Sequence, residues 1–106
     1  MNPLIFGYLR VPDDMSDEEA KQKQVALSTY AEKNGFHLAA VFYEYVPGAH
    51  AAFTELVAAV RHAEAKHVVV PSYRELALNR SLQNAMLTHL FHTTGGAEVI
   101  SLDDRS

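Results

Sequence analysis

The feature that most restricts the fold is a nearly continuous apolar run close to the amino end. Residues 4–9 read Leu-Ile-Phe-Gly-Tyr-Leu, a pattern typical of a short strand that is buried on both faces. Arg10 and Pro12 follow this run directly. Because such a strand lies inside a parallel sheet, and ligands collect at the carboxyl edge of parallel sheets, we expect a site beside Arg10.

Helical and strand patterns alternate along the rest of the chain. Ser16 and Glu19 have the spacing of a capping box, and Gly35 is a typical helix terminator. The predicted elements after the first strand are a helix over residues 16–34, a strand over 37–45, a helix around 53–60, a strand over 67–71, a helix from between 76 and 80 to near 93, and a strand over 98–102, with residues 103–106 expected to fray. This order predicts one α/β domain over residues 1–106, a three-layer α/β/α sandwich with a mainly parallel four-stranded sheet in the order 2-1-3-4.

Composition excludes several classes of function. The chain of 106 residues has no cysteine, which excludes disulfides and thiolate chemistry. No apolar run approaches the roughly 20 residues that span a bilayer, and the amino end lacks the pattern of a signal peptide, so we expect a cytoplasmic protein without membrane contact. A formal net charge of −4 argues against tight non-specific binding of nucleic acid.

Three segments carry a resemblance to a known family: Gly7-Tyr8-Leu9-Arg10-Val11, Tyr30-Ala31-Glu32-Lys33-Asn34-Gly35, and Val68-Val69-Val70. With the order of elements, they resemble the catalytic domain of the serine recombinases, the resolvase and invertase family, over nearly the whole chain. The resemblance implies a resolvase-like fold. In that family a serine attacks a DNA phosphodiester, forms a phosphoserine linkage and is supported by a cluster of arginines.

The resemblance also places unusual residues at the family's functional positions. Pro12 occupies the position of the nucleophilic serine, and Phe53 that of an arginine which follows the family's Ser-Gly pair, here Pro47-Gly48. Without gaps, the Asp-Arg-Leu-x-Arg motif reads Arg74-Glu75-Leu76-Ala77-Leu78, so that Arg74, Glu75 and Leu78 replace its Asp and two Arg residues. A serine nucleophile needs its hydroxyl, which proline lacks. We therefore expect a degenerate member that is not an enzyme, without a helix-turn-helix DNA-binding domain.

Three arginines remain near the expected site. Arg10 matches the family, and a two-residue shift of the alignment would place Arg80 on the last family arginine; both alignments stay open. Arg10, Arg74 and Arg80 follow two neighbouring strands and predict a weak anion site at the carboxyl edge of the sheet. No cofactor is expected. No metal site is expected either, because His89 and His92 have no third ligand placed by the sequence.

The last helix predicts a surface for self-association. On a helical wheel Leu87 and Phe91 share a face, while the residues expected to face the sheet are Leu78, Leu82, Ala85, Met86 and Leu90. Leu87 and Phe91 then either form a homodimer interface or tuck under the loop over residues 93–97.

Two functions remain open from the sequence. One is a catalytically inactive serine-recombinase-like domain that acts as a protein-interaction or dimerisation module, with a homodimer and an unidentified protein partner expected. The alternative is an accessory protein in DNA recombination, which touches phosphates weakly if at all.

Overall fold

In the computed structural model, which describes residues 2–46 and 48–103, strands and helices alternate along the described chain. The elements are β1 (Leu4–Arg10), α1 (Asp17–Lys33), β2 (His37–Glu44), α2 (Ala51–Ala63), β3 (His67–Val70), α3 (Arg80–Thr94) and β4 (Glu98–Ser101), with a 3₁₀ turn (Tyr73–Glu75) between β3 and α3. Pro47, and residues 104–106 of the segment expected to fray, lie outside the described residues.

The sheet has the predicted architecture. Its four strands are ordered β2-β1-β3-β4 and every pair is parallel. β1 is paired on both sides, with β2 from Leu4 opposite His37 to Arg10 opposite Glu44, and with β3 on the other edge. The apolar run of β1 is buried as expected, and the strand pairing confirms its central position and the order 2-1-3-4.

Helices cover both faces of this sheet. The side chains of β1 alternate between two apolar clusters: Phe6 and Tyr8 pack with residues of α2 and α3, whereas Ile5 and Leu9 pack with residues of α1. The cluster under α2 and α3 is the larger one. α1 begins at the predicted capping box, yet only two of its 17 residues are buried, so it is the most weakly anchored helix.

The orientation of α3 differs in part from the helical wheel drawn from the sequence. Met86 and Leu90 are buried as expected. Leu78 and Leu82 were expected to face the sheet, but they are 79% and 42% exposed, and Ala85 is also exposed. α3 begins only at Arg80, so Leu78 has no place on the wheel. The buried residues of the helix, Met86, Leu90 and Thr94, all lie after its first turn, which contains Leu82.

Gly7 allows α1 to approach the sheet closely. A Cβ atom at this position would lie 2.8 Å from Cδ1 of Leu27 and 3.2 Å from Cγ2 of Val41. The first distance is shorter than real contacts allow, and Leu27 is a fully buried residue of α1. Any larger residue at position 7 therefore forces either the side chain of Leu27 or the whole of α1 to shift.

We expect Gly7→Ala to lower the free energy of unfolding by about 1–3 kcal/mol, because the added methyl overpacks the contact between β1 and α1. Leu27→Ala, which leaves a cavity, should cost about 2–5 kcal/mol. In the double variant the new methyl occupies space that Leu27 has vacated, so its loss should be smaller than the sum. Urea unfolding of all four proteins measures this coupling, and additive losses would contradict the proposed contact.

Candidate functional site

The side chain of Arg10 ties together the loops at the carboxyl edge of the sheet. Its Nε donates to the carbonyl oxygen of Glu75 at 2.6 Å and its Nη2 donates to that of Leu76 at 2.8 Å. Its Nη1 donates to the carbonyl oxygen of Ala49, in the loop after β2, at 3.0 Å. The guanidinium at the end of the central strand thus bonds to backbone carbonyls from the loops that follow both neighbouring strands.

Glu75 lies beside this guanidinium and has its own partners. Its Oε1 accepts from the backbone N–H of Arg10 at 2.9 Å, and Nζ of Lys23, in α1, lies 3.1 Å from its Oε2. Glu75 is buried, so an unpaired carboxylate would be unfavourable there. Lys23 and Arg10 supply the donors that make this carboxylate compatible with burial.

Glu44, at the end of β2, forms a second buried polar cluster. Its Oε1 accepts from the hydroxyl of Tyr8 at 3.0 Å and from the backbone N–H groups of Ala52 and Phe53, at the start of α2, at 3.0 and 3.3 Å. Burial raises the pKa of Tyr8 far above its ordinary value, so its hydroxyl remains protonated and donates. A carboxylate at a helix amino end also interacts favourably with the helix dipole. Glu44 therefore fixes the start of α2 against the sheet.

Above these two clusters lies an open cleft of about 580 Å³. Arg10, Glu44 and Glu75 contribute to its lining, while Tyr45 and Leu78 bring apolar side chains to it. A second cavity of about 660 Å³ lies next to it, lined mostly by polar residues. The carboxyl edge of the sheet is therefore concave, as the position of Arg10 in the sequence predicts.

The residues that the resemblance assigns to the family's functional positions are distributed between this cleft and the core. Pro12 is exposed and lines the cleft. Phe53 is buried, with its ring edge-on to that of Tyr8 at 5.7 Å, so its position belongs to the core. Arg74 and Leu78 are exposed and line both cavities.

The three arginines expected to bind an anion do not surround a single cavity. Arg10 and Arg74 line the cleft, whereas Arg74 and Arg80 line the second cavity. The guanidinium of Arg10 is already bonded to carbonyl oxygens. Anion binding by Arg10, Arg74 and Arg80 stays a prediction.

The two residues expected at an interface have different environments. Leu87 is half-buried and packs against the larger apolar cluster. Phe91 is 45% exposed, and its ring lies edge-on to His92 at 5.7 Å. Of this pair, Phe91 is the residue that a partner could cover.

The described residues also bear on metals and membranes. Within residues 2–46 and 48–103, no three side chains of types that bind metals are grouped so as to hold an ion. In the same part of the chain, no helix combines the length and apolar character that crossing a bilayer requires.

Several residues at this edge were not singled out from the sequence. Glu44 is the only acidic residue of β2, and a lone carboxylate at the end of an apolar strand is a signal that points to it. Tyr45 and Val46 follow it as apolar residues beside a turn, which is a weaker signal. No sequence pattern indicated a role for Lys23, because its partner Glu75 is 52 residues away in the sequence.

If Arg10 has a structural role, Arg10→Met should lower the free energy of unfolding by about 2–4 kcal/mol, because part-buried carbonyl groups lose a charged donor. The control is Arg74→Met, at an exposed arginine of the same cleft, which should change it by no more than about 0.5 kcal/mol. Thermal or urea unfolding distinguishes the two variants. Equal, small effects would mean that Arg10 does not hold the loops.

A parallel sheet in the order 2-1-3-4, with an arginine at the carboxyl end of its central strand and a cleft above it, defines an α/β domain of the resolvase type. The family model "Resolvase, N terminal domain" matches residues 5–106, and the chain belongs to this family. No match is found among curated proteins.

Two solved structures are similar to the chain in fold. One is the C-terminal catalytic domain of ISC1926 TnpA, an IS607-like serine recombinase, with a TM-score of 0.78 and 18% identity over 95% of this chain and 70% of that one. The other is the N-terminal catalytic domain of TP901-1 integrase, with a TM-score of 0.75 and 20% identity over 95% of this chain and 78% of that one.

These comparisons correct one expectation from the sequence. The residues that the resemblance assigns to the family's motif positions led to the prediction that the chain is not an enzyme. The chain belongs to the resolvase family, and the two structures described above are catalytic domains of recombinases, which points to an enzyme. That prediction is therefore wrong.

Proposed function

We propose that this resolvase-family domain takes part in DNA recombination as an assembly module, which pairs with a second copy of itself and with other subunits of a recombinase. In this proposal the domain is one subunit of the assembly that carries out the reaction, and it also supplies contacts that build this assembly. The proposal includes a cytoplasmic setting, in keeping with a family that acts on DNA. The observation that carries it is the outer surface of α3.

The outer surface of α3 is depleted of charge. Of the 15 residues in α3, only Arg80 carries a formal charge when histidine is neutral, whereas 21% of the whole chain is charged. Phe91 is exposed on this surface. Protein interfaces are depleted of charged residues at their centres and enriched in aromatic ones. A symmetric pairing of two such helices is the simplest closed arrangement that covers Phe91.

The proposal also places Pro12 at the position of the family's nucleophilic serine. Its support is the segment Tyr8-Leu9-Arg10-Val11, which leads directly to Pro12, and the cleft that Pro12 lines. Proline has neither a hydroxyl nor a backbone N–H, so residue 12 supplies neither a nucleophile nor a hydrogen-bond donor.

A second candidate function is contact with DNA phosphates through Arg74 and Arg80. Both are exposed, and both line the second cavity. Asp103 lines the same cavity and would compete for these charges. With a net charge of −4, binding should be weak and should fall steeply as salt is added.

The dimer is tested by Phe91→Asp, which places a charge at the centre of the proposed interface. We expect light scattering to show a dimer for the unsubstituted protein and a folded monomer for the variant. Covering an aromatic side chain stabilises the dimer by roughly 1.5–3 kcal/mol, whereas a charge buried at the same place is unfavourable. The control is Val25→Asp in α1, where the valine is 52% exposed compared with 45% for Phe91. It should leave the dimer intact.

Either of two outcomes would contradict this interface. One is an unsubstituted protein that stays monomeric at high concentration. The other is an equal loss of dimer in the Val25 and Phe91 variants, which would mean that α3 has no special part in association.

The role of residue 12 is tested by Pro12→Ser. We expect this variant to form no more covalent protein–DNA adduct than the unsubstituted chain, because the guanidinium of Arg10 is bonded to carbonyls and a serine alone lacks the charge that stabilises a reacting phosphate. Asp14→Ser, which adds a hydroxyl elsewhere in the same loop, is the control. The measurement is a denaturing gel with end-labelled duplex fragments of host DNA. An adduct specific to Pro12→Ser would show that Arg10 is free to serve a phosphate.

A further inference from the structure

The cleft at the carboxyl edge concentrates the exposed apolar surface of the protein. Among the described residues seven large apolar side chains are exposed, and four of them line this cleft: Tyr45, Val46, Leu78 and Leu82. Two come from the segment directly after β2 and two from the region where α3 begins, so the cleft gathers exposed apolar side chains from two distant parts of the chain. Single exposed apolar residues are common, but a group that shares one concave surface marks a binding site.

The size of the cleft fits a small molecule. Its volume of about 580 Å³ lies within the range of roughly 300–1,000 Å³ that ligand sites occupy. Such sites combine mostly apolar walls with a few polar groups that orient the ligand. The exposed apolar side chains that line this cleft provide such apolar walls.

The polar groups at the base of the cleft are largely committed to one another. Arg10 bonds to backbone carbonyls, Glu75 is paired with Lys23, and Glu44 accepts from Tyr8 and the start of α2. The charged groups at the base of the cleft therefore already have partners. The polar group of a ligand has to bond to a different residue of the lining.

Two groups in the lining are still available. Arg74 is exposed, and its guanidinium takes part in no hydrogen bond or ion pair within residues 2–46 and 48–103. Nε2 of His50 is buried and likewise has no hydrogen-bond partner in that part of the chain. A positive charge at the rim of an apolar cleft, on a protein whose net charge is −4, is complementary to an anionic head group.

We propose that this cleft binds a small molecule made of an apolar aromatic or aliphatic body and one anionic head, a carboxylate, sulfonate or phosphate monoester. The body covers Tyr45, Val46, Leu78 and Leu82, and the head pairs with Arg74. The proposal goes beyond assembly through α3, because Phe91 does not line the cleft.

The test uses anilinonaphthalene sulfonate, an aromatic anion whose fluorescence rises in apolar sites, together with N-phenylnaphthylamine, the same framework without the sulfonate. We expect saturable binding of one sulfonate probe per chain and weaker binding of the uncharged one. Leu82→Ser should weaken the sulfonate probe by about tenfold through lost apolar contact. Arg74→Gln should weaken it by about threefold, the effect of an exposed charge pair.

Two matched variants serve as controls. Val25→Ser removes an exposed apolar side chain outside the cleft, and Arg61→Gln removes an exposed arginine of α2 outside it. Both should bind the sulfonate probe as the unsubstituted protein does, and circular dichroism confirms that all variants are folded.

Three results would overturn the proposal. The first is the absence of saturable binding to the unsubstituted protein. The second is equal binding by the Leu82 and Val25 variants, which would place the probe elsewhere. The third is equal affinity for both probes with no effect of Arg74→Gln, which would remove the anionic head and with it the proposed ligand class.

Discussion

The end of the central strand is held by hydrogen bonds between one guanidinium group and three carbonyl oxygens. Arg10 bonds to Ala49, Glu75 and Leu76, which are 39 to 66 residues away in the sequence. Carbonyl groups in part-buried loops need donors, and a guanidinium supplies several in a fixed plane. The positions of the loops after β2 and β3, and therefore the shape of the cleft, depend on this one side chain.

The character of the cleft follows from the same bonds. Arg10 bonds to backbone carbonyls and Glu75 is paired with Lys23, so the charges at the base of the cleft already have partners. The apolar side chains of its walls come from the segment after β2 and from the region where α3 begins. The place where the resemblance implies a phosphate-binding cluster thus holds a site with one available arginine, Arg74, at its rim. The chain belongs to the resolvase family, yet the groups that line this cleft differ from the arginine cluster that the resemblance implies.

The fold was largely predictable from the sequence, while the site was predictable only in position. The buried run of β1, the capping box at Ser16 and the alternation of elements lead directly to the sheet order, because each is a local pattern with one structural meaning. The partners of Arg10 were not predictable, since an arginine can bond either to a phosphate or to carbonyls, and tertiary placement decides between them. The predicted orientation of Leu78 and Leu82 was wrong: Leu78 precedes α3, and the buried residues of the helix all lie after its first turn, which contains Leu82. The prediction that the chain is not an enzyme was wrong because it relied on single motif positions, whereas the family model matches nearly the whole chain.

The weak anchoring of α1 has a consequence for motion at the cleft. Only Leu27 and Ala31 of its 17 residues are buried, compared with five of the 13 residues of α2. Local opening has its lowest free energy where apolar burial is least, so α1 is the helix most readily detached from the sheet. When it detaches, Lys23 leaves Glu75, and a buried carboxylate beside Arg10 loses its ion-pair partner. Opening of α1 on one face of the sheet thereby changes the electrostatic potential inside the cleft at the carboxyl edge. The affinity of the cleft for a charged ligand therefore depends on whether α1 is packed on the sheet.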